Sequence, residues 1–341
     1  MKTRIVIGIF SLFCMIVLTA CGDSSSAALK VGMAYDTGGK GDGSFNDSAY
    51  AGLVKARQEL GAVFVELTAG TSETEATRQA RLRQLAAGGC NPVIAVGLSH
   101  QNALAVVAPE FPATTFAIVD AEVAGANIAS LVFTAEQGSY LVGVIAASAS
   151  KTGKIGFIGG MDSPLINAFK AGYLQGAQSV RPDIVLESAY LGVNGDNTVW
   201  DAPDKAQSAT EAMLIKGVDI GYAAAGASNA GMFQAIKNAG GAANGLWGIG
   251  VDSDQYAMPL FANLKEVILT SMLKRVDIAV FDIIKGVASG SPMTGLQTFD
   301  LKRGGVAYSA SNPAVEPYRA AADAAAVKIK SGEIVVAGSL K

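Results

Sequence analysis

The chain has 341 residues, of which 50% are hydrophobic and 16% are charged, and its formal net charge is −3. This length suits about two domains, each large enough to bury a core without disulfide bonds or a structural metal. Because acidic and basic residues are interleaved, the sequence has neither a basic stripe that would indicate nucleic-acid binding nor an acidic tail that would indicate disorder.

The first residues have the layout of an export signal. Two basic residues precede an uncharged apolar run at residues 5–20, which is short for a membrane-spanning helix of about 20 residues. The letters LTAC at residues 18–21 resemble a bacterial lipobox, in which the cysteine thiol receives a diacylglyceryl group. We therefore predict a signal peptide at 1–20, lipidation at Cys21 and a polar tether at 21–28. The alternative is an ordinary cleaved signal peptide with an incidental cysteine.

Beyond the leader, short apolar runs alternate with segments of helical periodicity. In the first set, strands are predicted at residues 29–35, 63–67, 93–96 and 115–119, with helices between them. Ser72 and Glu75 predict a capping box at the start of the second helix. In the second set, strands are predicted at 155–158, 184–190, 219–225, 246–251 and 267–270, and helices at 165–180, 204–216, 229–239 and 272–289.

This alternation predicts an α/β fold of two lobes, each with a parallel sheet covered by helices on both faces. The junction near residues 129–138 is the expected hinge crossing. We expect an N-terminal lobe of residues 29–132 plus about 271–300. The C-terminal lobe would comprise residues 133–270 plus about 301–341, including a C-terminal helix.

Polar residues follow several predicted strands. Asp36, Asp120 and Asp252 each follow a strand directly. Gly226 opens a Gly-Ala-Ser-Asn loop after another strand, and Lys274 is expected at the start of a helix. Since ligands of open parallel sheets bind beyond the carboxyl ends of the strands, these residues should converge on a cleft between the lobes. One strand-end acid can equally be a helix N-cap, but the set together favours a binding site.

The chemistry of this set favours a neutral ligand rich in hydroxyl groups. Carboxylates accept hydrogen bonds from a diol, and a lysine ammonium donates up to three. Phe45 lies just before a helix start and Trp200 lies in a polar loop, so both rings could stack on a planar base. Such stacking contributes roughly 1–3 kcal/mol. Core packing is the alternative for each ring.

Several motifs together carry a resemblance to one protein family. They are Asp36 with Phe45-Asn46, residues 91–94, residues 109–112 leading to Asp120, residues 156–162, residues 247–255 and residues 270–275. These motifs resemble those of the basic membrane protein family of purine-nucleoside-receptor-like lipoproteins, across essentially the whole mature chain. The resemblance implies a type I periplasmic-binding fold, with two Rossmann-like lobes joined by a hinge. It also implies a substrate-binding role in an ABC importer.

The resemblance further implies a role for each candidate residue. Phe45 and Trp200 would hold the faces of the base, and Asn46 and Asp120 would bind its polar edge. Asp252 and Lys274 would hold the ribose hydroxyls. Asp36 and the Gly226 loop would lie nearby. Trp200 stands where most of the family carries phenylalanine, which leaves the base preference open.

The leading hypothesis is therefore a lipoprotein that captures a nucleoside, preferentially a purine nucleoside, and delivers it to the permease of an ABC importer. The lobes would close over the ligand by a hinge motion. The protein would be a monomer without a cofactor, a metal or a nucleic-acid partner. It would be anchored in the cell membrane through Cys21, facing the periplasm or the cell exterior. Carboxylates in the cleft, rather than a cluster of arginines, disfavour a phosphorylated ligand.

Three alternatives stay open at this point. The same fold could hold another small ligand, such as a flavin or a sugar. An enzyme, for example a nucleoside hydrolase, is disfavoured because His100 is the only histidine and because no nucleophile elbow, Walker loop or metal-ligand spacing occurs. A role as a surface adhesin or antigen is compatible with a lipid anchor.

Overall fold

The computed structural model describes residues 28–70 and 73–340, which fold into two α/β lobes, each built on a six-stranded sheet. The predicted signal peptide, Cys21 and the tether up to residue 27 lie outside the described residues. The two parallel-dominated sheets confirm the α/β class predicted from strand–helix alternation. In the described part of the chain, no helix is both long and apolar enough to cross a membrane.

The sheet of the first lobe is parallel in all its described pairings. Its strands, in sheet order, are β11 (Gly295–Phe299), β5 (Ile128–Phe133), β4 (Phe116–Val119), β3 (Val93–Ala95), β1 (Lys30–Ala34) and β2 (Val63–Leu67). One face carries α1 (Phe45–Leu60) and α8 (Val276–Ala288), and the other carries α2 (Glu75–Ala87) and α3 (Gln101–Val107). Strands β3 and β4 are buried at every position because helices cover both faces.

The sheet of the second lobe has the same order of parallel strands, with one antiparallel strand at its edge. In sheet order the strands are β12 (Val306–Tyr308), β10 (Ile268–Lys274), β9 (Trp247–Asp252), β8 (Ile220–Ala224), β6 (Lys154–Met161) and β7 (Val185–Gly192). Strand β12 is the antiparallel one. The helices are α4 (Ala135–Ala149), α5 (Pro164–Val180) and α9 (Glu316–Ser331) in one group, and α6 (Pro203–Ile215) and α7 (Asn229–Asn238) in the other.

Helices α4 and α5 approach each other closely because glycines stand at their contact. A Cβ atom on Gly176 would lie 2.0 Å from the Tyr140 carbonyl oxygen, and one on Gly172 would lie 2.1 Å from the Glu136 carbonyl oxygen. No side chain fits at these positions without moving a helix. This close contact positions α5, whose first turns border the cavity described below.

The chain passes between the lobes at three neighbouring places. It crosses at Thr134, between β5 and α4, at Arg275, between β10 and α8, and through residues 300–305, between β11 and β12. Backbone hydrogen bonds tie these crossings together, since Thr134 N–H donates to the Phe299 carbonyl and Arg275 N–H donates to the Gly305 carbonyl. The first crossing lies within the hinge region expected from the sequence, and the bonded crossings form a compact connection between the lobes.

Some local predictions were wrong. Residues 272–274, expected to begin a helix, complete strand β10, because Met272 and Leu273 pair with both β9 and β12. Ladder bonds on two sides outweigh the helical periodicity of this segment. Ser72, predicted to form a capping box with Glu75, lies outside the described residues, and the described cap of α2 is a box between Thr74 and Thr77. Strands β5, β11 and β12 were not predicted, and β11 and β12 are short edge strands.

Candidate functional site

The carboxyl ends of strands from both sheets meet at one cavity between the lobes. Its empty space is about 620 Å³, part of which opens to solvent. All the binding residues predicted from the sequence line it, with Asp36, Phe45, Asn46 and Asp120 from the first lobe and Trp200, Gly226, Asp252 and Lys274 from the second. The convergence expected from strand-end chemistry is therefore present.

Apolar side chains that the sequence analysis did not single out form part of the second-lobe wall. Leu165, Ile166 and Phe169 border the cavity from the first turns of α5. Ser163 accepts a hydrogen bond from Ile166 N–H and so caps this helix next to the cavity. An apolar first turn directly after a polar strand end was the available sequence signal. These side chains make the cavity apolar around a few charged groups, which is typical of small-molecule sites.

Asp36 is held in one orientation by the protein. Its Oδ1 accepts hydrogen bonds from Thr37 N–H at 2.8 Å and from Ser99 Oγ at 2.8 Å. Its Oδ2 lies over Gly97, where a Cβ atom would be only 2.0 Å away and where φ is 99°. Burial raises the pKa of Asp36 to about 6, although these two hydrogen bonds and the Arg78 guanidinium lower it.

The loop between β1 and α1 is organised by Asp42 and Asn46. Asp42 accepts hydrogen bonds from the backbone N–H groups of Ser44, Asn46 and Asp47, at 2.9–3.1 Å, and so caps α1. Asn46 Oδ1 accepts from Asp36 N–H at 3.1 Å, and its Nδ2 donates to Asp42 Oδ2 at 3.0 Å. Asn46 thus uses its amide to brace the loop, while its proposed contact with a base edge stays a prediction.

Lys274 joins the two lobes through its charge. It is the last residue of β10, not the first of a helix, and its Nζ forms an ion pair with Asp120 Oδ2 of the first lobe. The exposed fractions of the two side chains are only 3% and 7%. The Lys274 ammonium also lies 4.7 Å from the centre of the Phe45 ring, within cation–π range. In the described structure, Asp120 Oδ1 is buried and accepts no hydrogen bond.

Asp120 and Asp252 stand at equivalent strand ends and share an uncommon backbone conformation. Their φ angles are 67° and 65°, and they are the non-glycine residues with positive φ in the described chain. Strain of this kind collects at functional sites, where the surrounding structure holds it. Burial raises the pKa of Asp252, whereas the charge of Lys274 and a hydrogen bond from Ser44 lower it. The backbone conformation of Asp120 and Asp252 therefore helps to direct both carboxylates into the cavity.

The two aromatic rings predicted to bind a base come from opposite lobes. Phe45 is the first residue of α1, and Trp200 lies in a 3₁₀ turn at Asn197–Asp201. Both are half-buried, contact the hydrophobic core and line the cavity. The Trp200 ring lies against β6, where a Cβ on Gly160 would come within 2.2 Å of it. Core packing and cavity lining thus coexist at both positions.

Hydrogen bonds close one side of the cavity across the lobes. Ser44 Oγ donates to Asp252 Oδ2 at 2.6 Å, and Ser253 Oγ donates to the Ser44 carbonyl at 2.8 Å. Gln255, which is fully buried, donates from Nε2 to the Gly43 carbonyl at 2.9 Å. Residues 43–44 of the first lobe are therefore hydrogen-bonded to residues 252–255 of the second. Asp252 takes part both in this contact and in the cavity wall.

The site offers hydrogen-bond acceptors, one ammonium and apolar faces. In the described residues, no group of three or more metal-ligating side chains comes together. His100 is not among the residues that line the cavity, and burial holds its pKa at about 3. An arrangement of this kind can hold and orient a small polar ligand.

The buried charge of Asp36 should cost the ligand-free protein stability. Because its pKa rises from 3.8 to about 6 on folding, the native state binds the proton more tightly. Stability from this group is therefore fully present below about pH 4 and is lost as the pH rises through about 6. Asp36→Asn keeps the Oδ1 acceptor and removes the charge, so urea denaturation at about pH 7.5 should give an unfolding free energy higher by about 1–3 kcal/mol.

At about pH 4 the same variant should match the wild type. Asp183→Asn, at a carboxylate that is 81% exposed, is the matched control and should change stability at neither pH. A variant that is less stable than the wild type at about pH 7.5 would contradict the argument.

Comparison with known proteins gives relatives over the full length of the two lobes. Residues 29–339 match the family model described as ABC transporter substrate-binding protein PnrA-like. The chain is 32% identical over 358 residues to the ABC transporter nucleoside-binding protein BmpA of Lactococcus lactis, covering 98% of this chain and 99% of that protein. It is 34% identical over 294 residues to an uncharacterized lipoprotein of Pyrococcus abyssi, covering 82% of this chain and 69% of that protein.

The fold has counterparts among solved structures. An ABC transporter system solute-binding protein from Aeropyrum pernix K1 superposes with a TM-score of 0.77 at 30% identity, over 91% of this chain and 94% of that one. This likeness confirms the type I periplasmic-binding fold implied by the sequence resemblance. The matched family model describes substrate-binding proteins of ABC transporters. The chain belongs to the family of PnrA-like substrate-binding proteins of ABC transporters.

Proposed function

We propose that this protein binds a nucleoside, preferentially a purine nucleoside, in the cavity between its lobes and delivers it to the permease of an ABC importer. The observation that carries the proposal is that Phe45 and Trp200, from opposite lobes, both line a cavity whose charged groups, among the described residues, are carboxylates and one ammonium. The flat base of a nucleoside suits the two rings, and its sugar hydroxyl groups suit the carboxylates and the ammonium. The relative from Lactococcus lactis, named as nucleoside-binding, supports the same ligand class.

The contacts inside the cavity fit the parts of a nucleoside. Asp120 Oδ1, a buried acceptor without a partner in the described structure, suits an N–H on the edge of a base. Asp252 and Lys274 supply an acceptor and a donor for the ribose hydroxyls. Asp36 Oδ2, free of hydrogen bonds among the described residues, is a further acceptor. Stacking on Phe45 or Trp200 would hold the base in place.

The charge in the cavity disfavours phosphorylated ligands. Asp36, Asp42, Asp120 and Asp252 line it against the single ammonium of Lys274. A phosphate group would be repelled by the excess of carboxylates, and no arginine stands among the lining residues to accept it. We therefore expect the uncharged nucleoside to be preferred over its monophosphate.

A ligand panel tests the proposal. Adenosine, guanosine, inosine, uridine, guanosine monophosphate, riboflavin and glucose are each added to purified protein, and the melting temperature is recorded. A purine nucleoside at about a hundredfold excess over its Kd should stabilise the protein by about 2.7 kcal/mol, and guanosine monophosphate should do so far less. Stabilisation by riboflavin or glucose alone, or release of free hypoxanthine from inosine, would contradict nucleoside binding and favour another ligand or an enzyme.

The two tryptophans of the chain supply a matched pair of variants. Trp200→Leu removes the ring from the cavity and should weaken inosine binding roughly 5–150-fold in calorimetry, the equivalent of about 1–3 kcal/mol of stacking. Trp247→Leu removes a half-buried ring that does not line the cavity and should leave the Kd unchanged. Equal losses in the two variants would argue against a base on Trp200.

We also propose that lipidation of Cys21 holds the protein at the cell membrane, facing the periplasm or the cell exterior. The lipobox-like residues 18–21 support this, and the relative from Pyrococcus abyssi is named as a lipoprotein. Lipid chains would keep the binding protein close to the membrane that holds its permease.

Radiolabelled palmitate tests the anchor in bacteria that express the full chain. The wild type should carry label and sediment with membranes, whereas Cys21→Ser should lose the label and appear in the soluble fraction. Cys90→Ser, at a buried cysteine, is the control and should keep the label. Labelling of the Cys21→Ser variant at wild-type level would contradict lipidation at this residue.

A further inference from the structure

A chain of buried and half-buried polar groups leads from Asp36 away from the cavity towards α2. Ser99 Oγ donates to Asp36 Oδ1 at 2.8 Å and lies 3.4 Å from His100 Nδ1. On its other side, His100 Nε2 lies 3.0 Å from Arg81 Nη2. His100 is the only histidine of the sequence and is fully buried, yet it does not line the cavity.

The far end of this chain is fixed by the fold. The Arg81 guanidinium donates to the carbonyl oxygens of Tyr35 and Leu67, at 3.0 and 3.1 Å, and pairs with Glu73 at 2.5 Å. The acceptors come from the ends of β1 and β2, so Arg81 is tied to the same sheet that carries Asp36. The Arg81 and Glu73 side chains are 12% and 6% exposed, which leaves little room for them to rearrange.

The chemistry of the groups gives the chain a direction. A guanidinium can only donate, so His100 Nε2 must accept and the imidazole proton lies on Nδ1, on the side of Ser99. Burial and the nearby arginines hold the pKa of His100 at about 3, so the ring stays neutral in the physiological range. The backbone of Val96 and Gly97 also hydrogen-bonds the His100 ring. With no acceptor on the His100 side, the Ser99 hydroxyl points its own proton at Asp36.

Among the described residues, the hydrogen bonds at Asp36 leave only one of its two carboxylate oxygens available to a ligand. Oδ1 receives Ser99 and Thr37 N–H, whereas Oδ2 receives no hydrogen bond from the described residues and faces Gly97 and the cavity. Without the Ser99 contact, the carboxylate would lose one of the two bonds that fix its rotation. The hydrogen bonds of a carboxylate also favour its ionised form.

We propose that Ser99, oriented by His100 and Arg81, is a positioning residue that holds the Asp36 carboxylate in its ionised form with Oδ2 aimed at the ligand. The inference rests on the proposed function for its effect on nucleoside affinity, but its effect on Asp36 can be measured without a ligand. The charged groups that act on Asp36 are Arg78, Glu73 and Arg81 on the α2 side. Within the cavity they are Asp42, Asp120, Asp252 and Lys274.

The first test uses ligand-free protein with ¹³C-labelled aspartate. The carboxyl resonance of Asp36 is identified by its absence in Asp36→Asn and is titrated with pH. Ser99→Ala should move its midpoint to higher pH, and Ser99→Thr, which restores a hydroxyl, should return it towards the wild-type value. Ser139→Ala removes a buried hydroxyl bonded to Tyr222, away from the cavity, and should leave the midpoint unchanged. An unchanged midpoint in Ser99→Ala overturns the proposal whatever the ligand is.

The second test measures inosine binding by calorimetry in a double-mutant cycle. Ser99→Ala should weaken binding about tenfold at pH near 7.5, and its effect should vanish when Asp36 is already Asn, because Ser99 acts through that carboxylate. A full tenfold loss in the Asp36→Asn background would overturn the positioning role. If wild-type protein binds no nucleoside but the midpoint still moves in Ser99→Ala, the proposed function fails while the positioning of Asp36 stands.

Discussion

The buried ammonium of Lys274 is the charge on which the arrangement of the two lobes depends. An unpaired ammonium removed from water costs several kcal/mol, so this one needs a carboxylate in reach. That carboxylate, Asp120, belongs to the other lobe, and the rings of Phe45, Phe133 and Phe169 surround the ammonium at 4.7–5.7 Å. The pair can form only when the strand ends of both sheets face each other. The same ion pair therefore sets both the charge of the cleft and the arrangement of the two lobes.

The near-symmetry of the lobes explains how the charges reach the cleft. Strands β4 and β9 occupy equivalent places in the two sheets, and each ends in an aspartate with positive φ, Asp120 and Asp252. The neighbouring strands β3 and β8 are followed by Gly97 and Gly226, again with positive φ. The same sharp exit from a parallel strand is used twice in each lobe. Only Lys274, on β10, breaks the pattern by placing a cation among the acids.

Much of this could be predicted from the sequence because parallel strands buried on both faces give unmistakable apolar runs. The strand-end positions of Asp36, Asp120 and Asp252 followed directly from those runs, and their meeting in one cavity followed from the geometry of open sheets. The two rings were singled out by their places beside a helix start and in a polar loop, and the family resemblance assigned them to the faces of a base. Both kinds of inference used only local pattern and known topology.

The rest depends on contacts between distant residues. Lys274 was expected on a helix because the helical periodicity of residues 272–289 is strong, while the ladder partners of β10 are invisible in the sequence. Two further features join residues that are far apart in sequence. One is the contact of the Trp200 ring with Gly160, and the other is the chain of hydrogen bonds from Arg81 to Asp36. Asn46, read as a ligand contact, has its amide occupied by its own loop. The hydrophobic pattern of a sequence predicts which residue follows a strand, but it does not predict which distant residue that side chain contacts.

The most direct measurement is the Kd of inosine for Lys274→Met, which keeps the length of the side chain and removes its charge. If the ammonium holds both the lobes and the sugar, affinity should fall by about 100-fold or more while the far-ultraviolet circular dichroism stays native. Lys55→Met, at an exposed lysine that lies 4.2 Å from the Phe281 ring, is the matched control and should bind as the wild type does. A Lys274→Met protein that binds inosine within about threefold of the wild type would contradict the account.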